Sequence, residues 1–183
     1  NESVISIETI ASGTVNDEFQ QSIYTQGLKN NSANTSSLLY SVCQIQSIGL
    51  GQNSSWNLTW IDYDNDGHED LFVPTKDANA PNELYRNNGN GSFTRIVNHP
   101  LVNEKANTVA SVWGDINNDG RKDVFLVNAT QHKSKIFVNN GNGSFSELKN
   151  SGIDVHPQYF HGAAFADFDN DGFLDLSVAN FFE

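Results

Sequence analysis

The feature that most constrains this sequence is an acidic motif that occurs three times. It reads WIDYDNDGHEDLFV at residues 60–73, WGDINNDGRKDVFL at 113–126 and FADFDNDGFLDLSV at 165–178. Carboxylates this close together repel one another, so an ordered chain must place a positive charge among them. Because the motif recurs in register and runs directly into an apolar segment, it predicts an ordered cation-binding loop followed by a strand.

The motif belongs to a longer repeat of about 52 residues. The first aspartates of the three loops, Asp62, Asp115 and Asp167, are separated by 53 and 52 positions. A second pattern, NELYRNNGNGSFTRI at 82–96, recurs as SKIFVNNGNGSFSEL at 134–148, again 52 positions later. Internal repeats of this length are typical of solenoids and propellers, so they set the architecture.

Each repeat predicts four short strands and no helix. In the first repeat they are LTWI before the acidic loop, DLFVP after it, ELYRN, and SFTRIV, with the last two joined by a glycine-rich NGNG hairpin turn. No stretch has a helical period long enough to compete. Four antiparallel strands per repeat are typical of a β-propeller blade, so the predicted fold class is all-β.

The predicted blades are incomplete at both ends of the chain. The expected boundaries are N-terminal strands and a degenerate half repeat at 1–46, repeat 1 at 47–98, repeat 2 at 99–150 and a truncated repeat 3 at 151–183. Since the first residue is Asn and not Met, we expect a processed or trimmed piece of a longer chain. Three blades are fewer than the 4–8 of an ordinary propeller. Either the chain is an arc of a larger ring, or a neighbouring chain completes the open halves.

Large apolar residues recur at fixed places beside each loop and are predicted to pack between blades. They are Trp60, Trp113 and Phe165 before the loops, and Leu71, Val124 and Leu176 after them. Trp56 lies outside this pattern, and core packing is the better prediction for it too. The sequence VISIETI at 4–10 is a further possible strand.

The acidic loops present oxygen ligands at positions 1, 3, 5 and 9. A glycine at position 6 allows a sharp turn, and position 7 is expected to contribute its backbone carbonyl, as in hard-cation loops. Oxygen-only ligands suit Ca²⁺, whereas Zn²⁺ prefers His or Cys. The predicted ligands are Asp62, Asp64, Asp66, His68 and Asp70; Asp115, Asn117, Asp119, Arg121 and Asp123; and Asp167, Asp169, Asp171, Phe173 and Asp175, where His68, Arg121 and Phe173 act through the backbone.

The EF-hand is a rival because it uses the same opening. It requires a bidentate Glu at position 12 and flanking helices. Position 12 is instead Val73, Leu126 and Val178 in the three loops, and a predicted strand follows at once. The pattern therefore favours a loop between two strands.

These loops and the NNGNGSF hairpins resemble the FG-GAP/VCBS repeat family over roughly residues 47–180, with a degenerate echo at 21–46. The resemblance implies calcium sites within β-propeller blades of the integrin-α type, with calcium as a structural staple. The sequence departs from the family pattern at Asn117, a neutral ligand in place of Asp. The second site is therefore expected to be the weakest of the three.

Composition supports a cation partner and argues against others. The net charge is −12, and eleven of the 22 acidic residues (four, three and four) stand at the predicted ligand positions. This charge disfavours nucleic acid or an anionic membrane surface as a partner. No apolar run approaches the ~18 residues of a membrane span. The single cysteine, Cys43, excludes a disulfide within the chain and is expected to be a buried thiol, with an intermolecular bridge as the alternative.

Two observations predict an extracellular protein. Loops of this kind in extracellular modules bind calcium at millimolar concentration. The chain also contains eight N-x-S/T sequons, which is more than chance predicts. The glycosylation candidates beyond Asn1 are Asn30, Asn34, Asn53, Asn57, Asn90, Asn128 and Asn142. Asn90 and Asn142 have a second explanation, because a hairpin turn favours Asn-Gly.

No catalytic arrangement is predicted. The five histidines recur at no fixed position of the repeat and are expected to be surface or packing residues. Three functions remain open: an adhesion or ligand-binding module, a structural subunit that assembles into fibres by pairing of edge strands, and an accessory domain of a secreted hydrolase. Other protein chains are expected partners in the first two.

Overall fold

The structure is a computed structural model that describes residues 55, 57–129, 132–153 and 160–180, together with the backbone of four N-terminal strand segments. The predicted strand at 4–10 and the side chain of Trp56 lie outside the described residues. In the described part, no helix is long and apolar enough to cross a membrane.

The described residues form fourteen strands and one short helix. In chain order they are β1 (Ser22–Ile23), β2 (Gln26–Asn30), β3 (Tyr40–Gln44), β4 (Ile48–Gly49), β5 (Thr59–Ile61), β6 (Asp70–Val73), β7 (Glu83–Asn87), β8 (Phe93–Ile96), α1 (Pro100–Asn103), β9 (Thr108–Gly114), β10 (Asp123–Asn128), β11 (Lys135–Gly141), β12 (Ser144–Glu147), β13 (Phe160–Ala166) and β14 (Asp175–Asn180).

The strands form blades in which neighbours along the chain pair antiparallel. The first blade is the sheet β5-β6-β7-β8, the second is β9-β10-β11-β12, and the third consists of β13 and β14. Four-strand antiparallel sheets joined in this order are blades of the propeller type. The predicted all-β fold class is confirmed.

The N-terminal strands pair as a hairpin that is longer than the one formed by β7 and β8. β2 pairs with β3 and β1 pairs with β4, with Ile23 opposite Ile48. Leu84 and Ile96 are paired in the same way between β7 and β8. The hairpin therefore has the pairing expected for the third and fourth strands of a repeat. Cys43 lies in β3. Its side chain is outside the described part of the structure, so the buried thiol stays a prediction.

The strands that flank the acidic loops have the same register in all three blades. The apolar pairs next to the loops are Trp60 with Leu71, Trp113 with Val124, and Phe165 with Leu176. One step closer to each loop, Ile61, Gly114 and Ala166 face the aspartates at position 9. Position 9 is therefore already part of the second strand, which fixes one end of each loop.

The main core lies between the blades, on both faces of β10. Val124 and Leu126 are fully buried in a cluster shared with the first blade, while Phe125 and Val127 are buried in a second cluster shared with the third. A strand covered on both faces has a continuous apolar sequence, as DVFLV does. The prediction that the large residues beside the loops pack between blades fits Trp113, whose ring meets Phe72 of the first blade at 5.7 Å between centroids.

Helix α1 was not predicted, because four residues are too few to show a helical period. It begins after His99, whose side chain caps it, and Pro100 occupies its first turn, where a missing N–H costs nothing. Leu101 and Val102 are buried in the cluster between the first two blades. The helix thus seals the connection between these blades.

His99 joins the first two blades. Its Nδ1 accepts the N–H of Leu101 at 3.3 Å, and its Nε2 lies 2.8 Å from the carbonyl oxygen of Gly143. Its ring packs edge-on against Tyr63 and Phe145, with centroid distances of 5.7 and 5.4 Å. These bonds require the neutral ring with its proton on Nε2. Burial lowers the pKa of His99, with the Gly143 bond opposing this effect.

We expect His99 to reduce stability on acidification. The unfolded chain binds a proton near pH 6.5 and the folded chain only at lower pH, so this contribution is complete above pH 6.5 and is lost as the pH falls towards the folded pKa. The loss is about 1.4 kcal/mol for each pH unit between the two pKa values. Urea unfolding from pH 7.5 to 5 at saturating calcium measures it. A His99→Gln variant should show a shallower decline, and parallel curves would contradict the assignment.

Candidate metal centre

The three acidic loops share one backbone conformation. Position 4 is an asparagine with positive φ and position 6 a glycine with positive φ: Asn65 (58°), Asn118 (57°) and Asn170 (59°); Gly67 (88°), Gly120 (84°) and Gly172 (90°). Asn tolerates the left-handed region better than other non-glycine residues. The role of position 4 was missed in the sequence, although the same residue in all three loops was a usable signal.

The aspartate at position 1 organises each loop. In the first, Asp62 accepts the N–H of Asp66 through Oδ1 at 3.0 Å and that of Gly67 through Oδ2 at 2.9 Å. Asp115 and Asp167 make the corresponding two bonds in their own loops. Each loop is therefore folded around its first carboxylate.

The aspartate at position 9 ties the first loop to the third strand of its blade. Asp70 is fully buried, and its oxygens accept the N–H of Asn87 at 2.7 Å and of Tyr63 at 3.2 Å. Burial raises the pKa of Asp70 to about 6 against the opposing effect of these bonds. A buried carboxylate with a raised pKa is one that a cation would stabilise.

The second loop repeats this arrangement. Asp123 is fully buried and accepts the N–H of Asn139 at 2.8 Å and of Ile116 at 3.0 Å, and burial raises its pKa. In the third loop Asp175 is partly exposed and accepts the N–H of Phe168 at 3.0 Å.

Carboxylates converge in the first and third loops. Oxygens of Asp62, Asp64 and Asp70 lie within 4.8 Å of one another. Those of Asp167, Asp169 and Asp175 do the same. An all-oxygen donor set of this kind fits a hard cation such as Ca²⁺.

The second loop differs at position 3, and no cluster of three acids forms in it. Asn117 donates from Nδ2 to Asp119 at 2.9 Å, while its Oδ1 accepts the N–H of Asp119 at 3.1 Å. The amide thus keeps an oxygen in the loop but brings no charge.

Position 5 lies outside the carboxylate clusters. Asp66, Asp119 and Asp171 each accept the N–H of position 7, from His68, Arg121 and Phe173, at 2.9, 2.9 and 2.8 Å. This bond closes the turn in each loop. Coordination by the position 7 carbonyls, and by position 5 itself, stays a prediction.

Two arginines contact the loops, which the sequence did not suggest. Arg86 donates from Nε to Asp64 and from Nη2 to Asp66, both at 2.8 Å. Arg121 pairs with Asp119 and also donates from Nε to the carbonyl of Asn139 at 2.8 Å. The role of Arg86 was hard to recognise in the sequence because the arginine does not recur: Val138 has the same position in the second repeat.

The glycosylation candidates fall into different environments. Asn57, Asn90 and Asn142 are exposed. Asn128 is fully buried; its Oδ1 accepts from Thr108 at 2.8 Å and its Nδ2 donates to the carbonyl of Lys133 at 2.7 Å, so this packing has no room for a glycan. Asn34 and Asn53 lie outside the described residues, as does the side chain of Asn30.

We expect Asp169→Ala to cost more calcium affinity than Asn117→Ala. Both remove the position 3 oxygen, but only the first removes a negative charge that attracts the ion. Calorimetric titration of the two variants against the unaltered chain measures the difference, which should approach tenfold. Equal losses would mean that loop geometry, and not charge, sets the affinity.

A comparison with protein-family models supports the resemblance to the FG-GAP/VCBS repeat family. The model for the FG-GAP-like repeat matches residues 62–126 and 115–178, and the two matches overlap across the second acidic loop. A search of curated proteins found no significant match. The matched residues span more than half of the chain and contain all three loops. The chain therefore belongs to the FG-GAP-like repeat family.

Proposed function

We propose that the chain is a non-enzymatic, extracellular calcium-binding repeat protein in which Ca²⁺ staples the β-blades. The observation that carries this proposal is the convergence of three aspartates in the first and third loops, at the point where two strands of a blade meet. Asp62, Asp64 and Asp70 would hold the ion in the first blade. Asp115, Asn117 and Asp123 have the same positions in the second, and Asp167, Asp169 and Asp175 in the third.

A structural role fits where these residues lie. Position 1 closes the loop, and position 9 begins the second strand and, in the first two blades, accepts an N–H from the third. When bound, the ion supplies the positive charge that offsets repulsion among the carboxylates and the cost of burying Asp70 and Asp123. The chain's own residues thereby link three strands at one end of each complete blade.

Calorimetry with calcium tests the proposal directly. We expect three binding events, with dissociation constants near the 10⁻⁴–10⁻³ M of extracellular modules. Magnesium should bind more weakly, because it needs a tighter octahedral shell. Absence of calcium-dependent heat in a folded sample would reject the proposal.

An extracellular location leads to a prediction about glycans. If the source is eukaryotic, at least one of Asn30, Asn34, Asn53 and Asn57 should carry an N-glycan, since these sequons lie in polar sequence and Asn57 is exposed. Peptide mass spectrometry before and after an N-glycan amidase measures this. Four unmodified peptides from eukaryotic material would contradict it.

Self-association by strand addition is a second candidate, favoured by the edge of β14. In the complete blades the second strand pairs on both sides, whereas β14 pairs only with β13 within the described residues. Such an edge can pair with a further strand, either from a continuation of the same chain or from a second copy. Phe168 is also 75% exposed, although Tyr63, at the same position of the first loop, packs against Phe145 of the adjacent blade.

If residues 162–179 of one copy pair with residues 1–46 of the next, the contact is head-to-tail. Repeating it gives a ring if the arrangement closes and a fibre if it does not. Light scattering over a range of concentrations tests it. Mass should rise with concentration, and Phe168→Lys should weaken the rise by placing a charge in the contact. A constant monomer mass would contradict self-association and favour an adhesion or ligand-binding module, whose partner would meet the exposed loops.

A further inference from the structure

The three acidic loops differ in the positive charge that the chain itself provides. The first has the guanidinium of Arg86 on Asp64 and Asp66. The second has one acid fewer and is contacted by Arg121. In the third, no basic side chain forms an ion pair with the loop within the described residues, and position 7 is Phe173.

The first and third loops form a natural comparison, because their internal hydrogen bonds match. Positions 1, 3 and 5 accept the same backbone N–H groups in both loops, and both have the Asn and Gly with positive φ. The loop conformation therefore does not depend on an arginine. At positions 3 and 5 the two loops differ in the Oδ2 atoms of the aspartates, because Arg86 binds those of Asp64 and Asp66.

Arg86 is held in this place by its strand. The next residue, Asn87, donates its backbone N–H to Asp70 at 2.7 Å and its side-chain Nδ2 to the carbonyl of Glu69 at 3.0 Å. β7 is thus attached to the loop, and the guanidinium reaches two carboxylates at once. Paired charge-assisted bonds of this kind are the stronger class of ion pair.

We propose that Arg86 is a built-in counter-ion of the first acidic loop, which lowers the calcium affinity of this loop below that of the third. The inference rests on the proposed calcium-binding function. To admit calcium, Arg86 must either release Asp64 and Asp66 or share them with a divalent ion. One positive charge roughly 6 Å from a divalent ion in water weakens its binding about tenfold. The third loop therefore fills first as calcium rises.

The same contact gives the first blade a partial substitute for calcium. Without the ion, Arg86 offsets repulsion between Asp64 and Asp66, whereas the third loop has no such compensation in the described part of the chain. The first blade should consequently be less sensitive to calcium removal. Arg86 thus sets the calcium concentration at which the first blade responds. The third blade responds at lower calcium, so the two blades bind calcium one after the other.

Calcium titration followed by NMR tests the proposal, with the amide signals of Gly67, Gly120 and Gly172 as probes, because each of these N–H groups donates to the position 1 aspartate of its own loop. In the unaltered chain, Gly172 should reach its midpoint at about tenfold lower calcium than Gly67. Arg86→Val, which copies Val138 of the second blade, and Arg86→Gln should each lower the Gly67 midpoint about tenfold and leave Gly172 unchanged. Lys149→Gln removes the same charge from an exposed residue of the second blade and should shift neither midpoint.

The outcomes separate this inference from the function on which it rests. Coincident midpoints for Gly67 and Gly172 in the unaltered chain, or an unchanged or higher Gly67 midpoint in both Arg86 variants, would overturn the role of Arg86 while leaving calcium binding intact. If none of the three glycine signals responds to calcium, calcium binding itself is wrong and the inference falls with it. A lower Gly67 midpoint in one variant alone would also overturn it, because both remove the charge.

Discussion

Removing calcium is expected to lower the free energy of unfolding by about 2 kcal/mol at pH 7. The third loop, with a dissociation constant of ~10⁻⁴ M, gains roughly 1.4 kcal/mol at about 1 mM free ion, and the two weaker loops, with constants of ~10⁻³ M, gain about 0.4 kcal/mol each. For a chain of this size, such a loss corresponds to a fall in melting temperature of roughly 6 °C. Thermal melts in 1 mM calcium and in excess chelator measure it.

Magnesium provides the control. It should restore little of the lost stability, since its short, octahedral coordination suits these loops less well than the larger shell of calcium. An unchanged melting curve in chelator would show that the loops contribute no calcium-dependent stability. Full rescue by magnesium would instead assign the effect to general charge neutralisation.

The repeat pattern predicted the blades because the signals involved are local. The alternating residues of ELYRN, the apolar run DVFLV and the Asn-Gly turns each specify a strand or a hairpin within a few positions. The spacing of oxygen ligands similarly identified the loops. Helix α1 escaped prediction because its four residues are specified by the His99 cap and by burial between blades.

The parts of the site that the sequence did not reveal depend on pairing between distant strands. The ligand spacing identified Asp70 but not its burial or its bond to Asn87, which lies 17 positions later on the adjacent strand. Arg86 reaches Asp64 across 22 positions for the same reason. The sequon at Asn128 was a wrong signal, because a three-residue motif contains no information about burial and the structure buries this asparagine.

Burial of Asp70 leads to the second large effect, which concerns the calcium-free chain. The folded pKa of about 6 lies above the ordinary value of 3.8. Between these values the folded chain binds more protons than the unfolded chain, so this residue's contribution to stability falls as the pH rises through the window and is absent above it. Conversely, the calcium-free chain should gain about 2 kcal/mol from Asp70 as the pH falls from 7 to 4.

Urea unfolding of decalcified protein between pH 7 and 4 measures this gain against two variants. Asp70→Asn has no titrating group at position 9 and should lack the gain, even though His99 reduces stability over part of the same range in both chains. Asp175→Asn removes the matching carboxylate from the third loop, where it is partly exposed, and is the control for the loss of a position 9 charge. If Asp70→Asn and the unaltered chain have parallel pH profiles, the buried carboxylate carries no cost that calcium could relieve. The stapling effect in the first blade would then come from Asp62 and Asp64, which are partly exposed.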